Sequence, residues 1–264
     1  MRLSVVSPHL DDAVLSVAAL IHDRAAHGWD VKVVTVFGND PRSDDPPSPW
    51  EASAGFKNSG HAARTRRDED AVACRSLGCA QSVLPLPDEE HRDGAAGAQL
   101  WSALHHELAD SDVVLAPGYP LRHPDHELVA AAVWQARGAL AGVVGFYVEQ
   151  PYASSVVYGR SRRVGHSKPL ARGVLDMGSL VARRVATQPV LTPPLPPFVE
   201  QRSAGLQWRS YAYGRLTLRT KWRAIAQYRS QLRGLGPLVR TRISLYEIAA
   251  GGEMVCLPEG ARGW

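Results

Sequence analysis

The stretch LSVVSPHLDDAVLSVAALIHDRAAHGWDVKVVTVF, residues 3–37, decides the fold. Leu3 to Ser7 and Val31 to Phe37 are short apolar runs rich in Val, as a strand covered on both faces requires. Between them Val14, Leu15, Val17, Ala18 and Ile21 recur at spacings of three and four, which predicts a helix over about 11–27, and Gly28 stands where a helix stops. The unit reads β–α–β. The alternation continues outward: helix over 62–77, strand over 82–86, helix over 98–109, strand over 113–116, helix over 126–137 and strand over 143–148. The expected class is α/β, a Rossmann-like, mostly parallel sheet with helices on both faces. Two intervals break the rhythm: 39–60, rich in Pro, Ser and Asp, and 150–205, which contains TPPLPP. Loops of that length in a compact domain usually carry function, so both are expected to form lids and substrate walls. A helix over 216–232 and a hairpin over Ile243 to Leu257, turning at Gly251 and Gly252, are expected to follow.

At 264 residues, 45% hydrophobic and 21% charged, the chain is neither collagenous, coiled-coil nor wholly disordered. One domain is expected over 1–264, with its core in about 1–150 and substrate loops and C-terminal elements in about 151–264. The longest nearly apolar run, ALAGVVGFYV at 139–148, is half of the ~20 residues that a membrane helix needs, so no span is expected. Ser7, Pro8, His9, Asp11 and Asp12 interrupt the apolar N-terminal stretch, which leaves no secretory core and points to the cytoplasm. Cys74, Cys79 and Cys256 are odd in number and lack CxxC spacing, as reduced, buried thiols would. Residues 1–159 carry 12 Lys/Arg against 21 Asp/Glu, and residues 160–264 carry 18 against 5. Two readings fit: the basic part meets an anionic group on a substrate, or its arginine stems pack over the acidic part. Nucleic acid is not an expected partner, since no run of five basic residues occurs.

In an open parallel sheet, ligands bind beyond the carboxyl ends of the strands. SPHLDDAVLS follows the first strand, and APGYPLRHPDHELV begins in the fourth and runs into the next helix. His9 and Asp12, three residues apart across a turn, can converge on one ion, with His126 as a third ligand from the neighbouring loop. Three ligands of this type leave a position open for water, as catalytic zinc requires, and Fe²⁺ also suits two histidines and a carboxylate. Zinc lowers the pKa of bound water from 15.7 to about 7, and Asp11 could take the proton. Each motif also has an ordinary reading: HxDD as a helix cap and HPDH as a proline-led helix start.

Taken together these residues resemble the PIG-L/LmbE-like zinc-dependent deacetylases, which remove acetyl groups from N-acetylglucosamine-type sugars. Pro8 to Ala13 matches the hallmark A/P-H-P-D-D-E, with Leu10 for the usual proline and Ala13 for the glutamate; His123 to His126 matches H-x-D-H. RTRRDED…SLG at 64–78, YVEQPY at 147–152 and AQYRSQ at 226–231 resemble further family segments. The resemblance implies that His9, Asp12 and His126 hold one zinc ion per chain and that Asp11 is the general base. It makes His123, oriented by Asp125, the group that stabilises the oxyanion and a candidate to protonate the leaving amine, and puts Arg66 and Asp88 on the sugar, with Arg64 and Arg67 as close alternatives to Arg66. The expected activity is hydrolysis of an N-acetyl group from an aminosugar or its conjugate, in bacterial thiol-cofactor or glycosylated natural-product synthesis. An amidase of a thiol conjugate or larger acyl amide, and a non-catalytic sugar- or nucleotide-binding domain, are the competing readings.

Overall fold

The computed structural model describes residues 1–89, 97–160, 191–199 and 205–261. In chain order the elements are β1 (Arg2–Ser7), α1 (Asp12–Ala26), β2 (Asp30–Thr35), α2 (Pro49–Ser53), α3 (Ser59–Leu77), β3 (Ala80–Val83), α4 (Gly97–Leu108), β4 (Val113–Tyr119), α5 (Pro124–Gln135), β5 (Val143–Val148) and α6 (Tyr152–Arg160). After residue 205 come β6 (Leu206–Tyr211), α7 (Arg215–Ile225), α8 (Arg229–Leu235), α9 (Val239–Ala250) and β7 (Glu253–Pro258). The seven strands form one sheet in the order β3-β2-β1-β4-β5-β7-β6. The first five pair in parallel, and β7 joins β5 and β6 antiparallel. The order reverses between β1 and β4, which opens a crevice at their carboxyl ends.

Alternate side chains of the central strands feed two cores. Leu3, Val5, Val33 and Leu115 pack with α1, α3 and α7 on one face, while Val6, Val34, Val114 and Ala116 pack with α4 and α5 on the other. Both faces of the sheet are therefore dry, as the continuous apolar strands require. The expected α/β class, the parallel order and every helix and strand from 3 to 148 are present, with shifts of a few residues at their ends. Among the described residues no helix is long and apolar enough to cross a membrane. Cys74, Cys79 and Cys256 are free and buried.

Three expectations for the C-terminal half are corrected. The hairpin over 243–257 is instead α9 followed by β7: Ile243, Tyr246, Glu247 and Ala250 are buried at helical spacing, and Gly251, at φ 85°, ends the helix in the left-handed region. The single helix over 216–232 is two, α7 and α8, broken at 226–228 where Tyr228 turns inward to donate to Asp70 Oδ1 at 2.5 Å. The interval 150–205 is not wholly irregular, since α6 lies inside it. Its residues 161–190 and 200–204, which hold 7 of the 18 Lys/Arg of residues 160–264, lie outside the described residues.

Helix α1 is itself broken. Val17 leaves helical geometry (φ −137°, ψ 31°), and the carboxylate of Glu253 accepts from the N–H groups of Ala19 and Leu20, both at 2.9 Å. That carboxylate in turn meets Lys221, fully buried, whose Nζ lies 2.7 Å from Glu253 Oε1 and also bonds Glu247.

Candidate active site and metal centre

The turn after β1 is stitched by its own side chains. Ser7 Oγ donates to His9 O (2.6 Å) and accepts from Ala13 N–H (3.0 Å), while Asp12 Oδ2 accepts from His9 N–H (2.9 Å). Asp11 stands at the N-cap position of α1, yet its side chain makes no cap hydrogen bond, so the capping reading does not account for it. After β4, His123 caps α5 and Pro124 occupies the first turn, so HPDH is a proline-led helix start as well as a cluster of chemical groups.

The two turns meet at the crevice between β1 and β4. His9 Nδ1 lies 3.3 Å from Asp12 Oδ2, His126 Nε2 lies 3.2 Å from the same oxygen, and the two nitrogens are 3.2 Å apart. A tetrahedral ion with bonds of about 2.0 Å separates its ligand atoms by about 3.3 Å. This triangle therefore fits a divalent metal in both size and donor chemistry. His9 and His123 also gather with Asp125 in a second group of possible ligands.

Each imidazole of the triangle is held from behind by a carboxylate. His9 Nε2 donates to Asp125 Oδ2 (3.0 Å), and His126 Nδ1 donates to Glu149 Oε2 (2.7 Å). Because carboxylates accept, the outer nitrogens donate to them, and an ion that displaces the inner protons would find both inner lone pairs facing the triangle. Asp125 thus grips His9 with its side chain, whereas its backbone N–H donates to His123 Nδ1 at 3.2 Å. The carboxylate itself is 3.9 Å from His123 Nδ1, so the expected orientation of His123 by Asp125 runs through the main chain. That bond leaves the His123 proton on Nε2.

Charge in the site is steeply graded. Burial opposes ionisation of Asp12, but His126 and His9 overcome it and hold the carboxyl well below its usual range. Burial, joined by the neighbouring Asp12 charge, pushes Asp11 up to about 8. Burial disfavours charge on His126, but Asp12 and Glu149 outweigh it and raise its pKa to about 10. His123 moves the other way, lowered by burial and by His9 and His126, which favours its neutral form.

A pocket of about 210 Å³ opens over these groups, and Arg66 and Asp88 line it. Of the three arginines on that turn of α3, Arg66 faces the pocket. Arg67 bonds the main chain at Gly38 and Asn39, and Arg64 bonds Pro41 O. With its amide oxygen toward Arg66, Gln231 accepts from Nε and Nη2 of that guanidinium. Asp88 is fixed by Asn39, whose amide donates to Oδ2 (2.9 Å) and accepts from the Asp88 N–H (2.9 Å).

The structure adds Glu149, Trp50 and Tyr152 to the residues that the sequence singles out. Glu149 directly follows β5, so the rule that finds His9 and His123 at strand ends also reaches it. Trp50 lines the pocket from the 39–60 loop, and Tyr152 sets its ring edge against His126 with 5.1 Å between centroids. Glu149→Gln keeps the shape and removes the charge behind His126. It is expected to weaken zinc affinity by about 10–100-fold in a chelator competition, and native affinity would show that the contact does not matter to the metal.

Residues 4–137 match the family model described as PIG-L, GlcNAc-PI de-N-acetylase. The chain is 30% identical over 212 residues, 72% of its length and 70% of the relative's, to the 2'-N-acetylparomamine deacetylase of Streptomyces fradiae. Its fold is similar to that of the A40926 pseudoaglycone deacetylase, with a TM-score of 0.71, 24% identity and coverage of 97% of this chain and 96% of the other. A deacetylase of the teicoplanin biosynthesis pathway gives a TM-score of 0.72 at 21% identity, covering 98% and 97%. Half of the sequence meets the family model and a 30% identical relative covers 72% of the chain, so the chain belongs to the PIG-L family and is an amide hydrolase of the deacetylase class.

Proposed function

We propose that this chain removes the N-acetyl group from an amino sugar or amino-sugar conjugate, acting in the cytoplasm as one domain over residues 1–264 with one zinc ion. The observation that carries the reading is the triangle of His9, Asp12 and His126, with Asp11 beside it and Arg66 and Asp88 in the same pocket. The name of the Streptomyces fradiae relative supports an acetylated amino sugar of a natural product as the substrate class.

His9, Asp12 and His126 would hold the ion. Bound zinc supplies Lewis-acid polarisation of the amide carbonyl and makes water acidic near neutral pH. Asp11 accepts the proton of the attacking water and later delivers it to the departing nitrogen. His123 donates its Nε2–H to the carbonyl oxygen as negative charge develops there, a task for which a neutral, Nδ1-accepting imidazole is prepared. Arg66 and Asp88 hold the sugar hydroxyls, which keeps the acetamide facing Asp11. Acetate and a free amine leave. An anionic group on the substrate would be met by the basic part of the chain, residues 160–264, with 18 Lys/Arg against 5 Asp/Glu.

The test pairs metal analysis with acetate release from a panel of 2'-N-acetylparomamine, N-acetylglucosamine conjugates, thiol conjugates and longer N-acyl sugars. The expected outcome is about one zinc per chain and acetate from the acetylated amino sugars. Bound iron in place of zinc would correct the metal. A uniform preference for long acyl groups or thiol conjugates would replace the deacetylase reading by the amidase, and absence of both metal and hydrolysis by a binding domain.

A further inference from the structure

Trp50 stands in the 39–60 loop, which the sequence marks as lid or wall, and the structure makes it a fixed wall. A reciprocal capping box closes the N-terminus of helix α2: Ser48 Oγ accepts from Glu51 N–H (3.2 Å) and Glu51 Oε2 accepts from Ser48 N–H (2.9 Å). Glu51, buried, also accepts from Ser59 Oγ at 3.3 Å, which ties the loop to the first turn of α3. The indole so placed is half-buried and borders the pocket.

Two neighbours set its orientation. The Arg66 guanidinium lies 5.2 Å from the indole centroid. Helix α8 approaches the nitrogen edge at Gly234, where a Cβ would come within 2.9 Å of Nε1 and 3.3 Å of Cε2. The carboxylates, imidazoles and guanidinium around the pocket suit hydroxyls and an amide, while Leu15, Pro151, Tyr152 and Leu235 add smaller apolar or aromatic surfaces beside the indole. A pyranose has such a polar rim, but it also has an apolar C–H face, which polar groups cannot satisfy and an indole can.

We propose that Trp50 is a specificity-determining wall against which the sugar ring of the substrate packs, and that Gly234 is the gap that admits the indole. The ligand class is a pyranose amino sugar, selected over acyclic N-acetyl amines. This rests on the deacetylase reading for the orientation of the acetamide, but the wall can be tested without turnover.

The probe is D-glucosamine, a product-type sugar that the enzyme cannot turn over, titrated into zinc-loaded protein with binding followed by saturation-transfer NMR. In Trp50→Leu its Kd is expected to rise about tenfold, and in Trp50→Phe, which keeps a ring, by about threefold or less. Gly234→Val pushes the indole edge without removing the ring and is expected to weaken binding in the same direction, so the inference does not depend on Trp50→Leu folding. Native-like Kd in a folded, zinc-replete Trp50→Leu, or no glucosamine binding by the native enzyme, overturns the wall. Sugar binding lost on Trp50→Leu, but with no acetate released by the native enzyme from any amide in the panel above, overturns the deacetylase reading and leaves the wall standing.

Discussion

Asp11→Asn is expected to lower the rate of acetate release by about 10²–10⁴-fold while the chain still binds its metal. Asp11 is buried beside the triangle, and its side chain spends no hydrogen bond on capping α1, so the isosteric amide leaves the turn intact. Ser7 and Asp12 hold that turn instead. What the substitution removes is the one carboxylate at this turn that is both outside the triangle and on the pocket. Single-turnover acetate release and metal analysis on the same sample check it, and full activity would refute Asp11 as the base. His126→Ala is the contrast, since it takes a corner from the triangle and should lose metal and turnover together.

Lys221→Met is expected to cost about 3–5 kcal/mol of stability, a fall in Tm of roughly 6–20 °C. Lys221 is fully buried with Glu247 and Glu253, so removing its charge leaves two carboxylates without their cation in a dry interior. Glu253 cannot simply turn away, because both of its oxygens hold the amides freed by the break in α1. Calorimetry of the variant and of Lys221→Arg checks this, and a Tm equal to that of the native chain would mean that the methionine packs well enough to offset the lost pairing.

How much was legible in the sequence follows from how local each signal is. The parallel core could be read because Leu3 to Ser7 and Val31 to Phe37 need no distant information to declare themselves covered strands. Two of the triangle's corners sit three residues apart, and the third opens a helix after another strand, so the strand-end rule brought them together. The motif favours Arg66 but leaves Arg64 and Arg67 as close alternatives on one turn of α3, and the helix's rotation in the packed fold is what puts Arg66 on the pocket. Glu149 and Trp50 take their roles from where β5 and the 39–60 loop end in space. The expected hairpin failed for a local reason: Gly251-Gly252 serves a helix end as well as it serves a turn between strands, and only the burial of Ile243, Tyr246, Glu247 and Ala250 tells them apart.

The place of β7 in the sheet governs the order in which the protein can be completed during synthesis. Strand β7 lies between β5 and β6, and among the described residues β6 has no other partner in the sheet. A nascent chain that has emerged only as far as residue 252 carries the parallel strands, but the outer edge of β5 is bare, β6 is unmatched, and the amides of Ala19 and Leu20 await Glu253. Open strand edges on a half-made sheet invite pairing with other chains. The first helix made and the last strand made are therefore finished at the same moment, and the ribosome must deliver residues 253–258 before the region made first is secure.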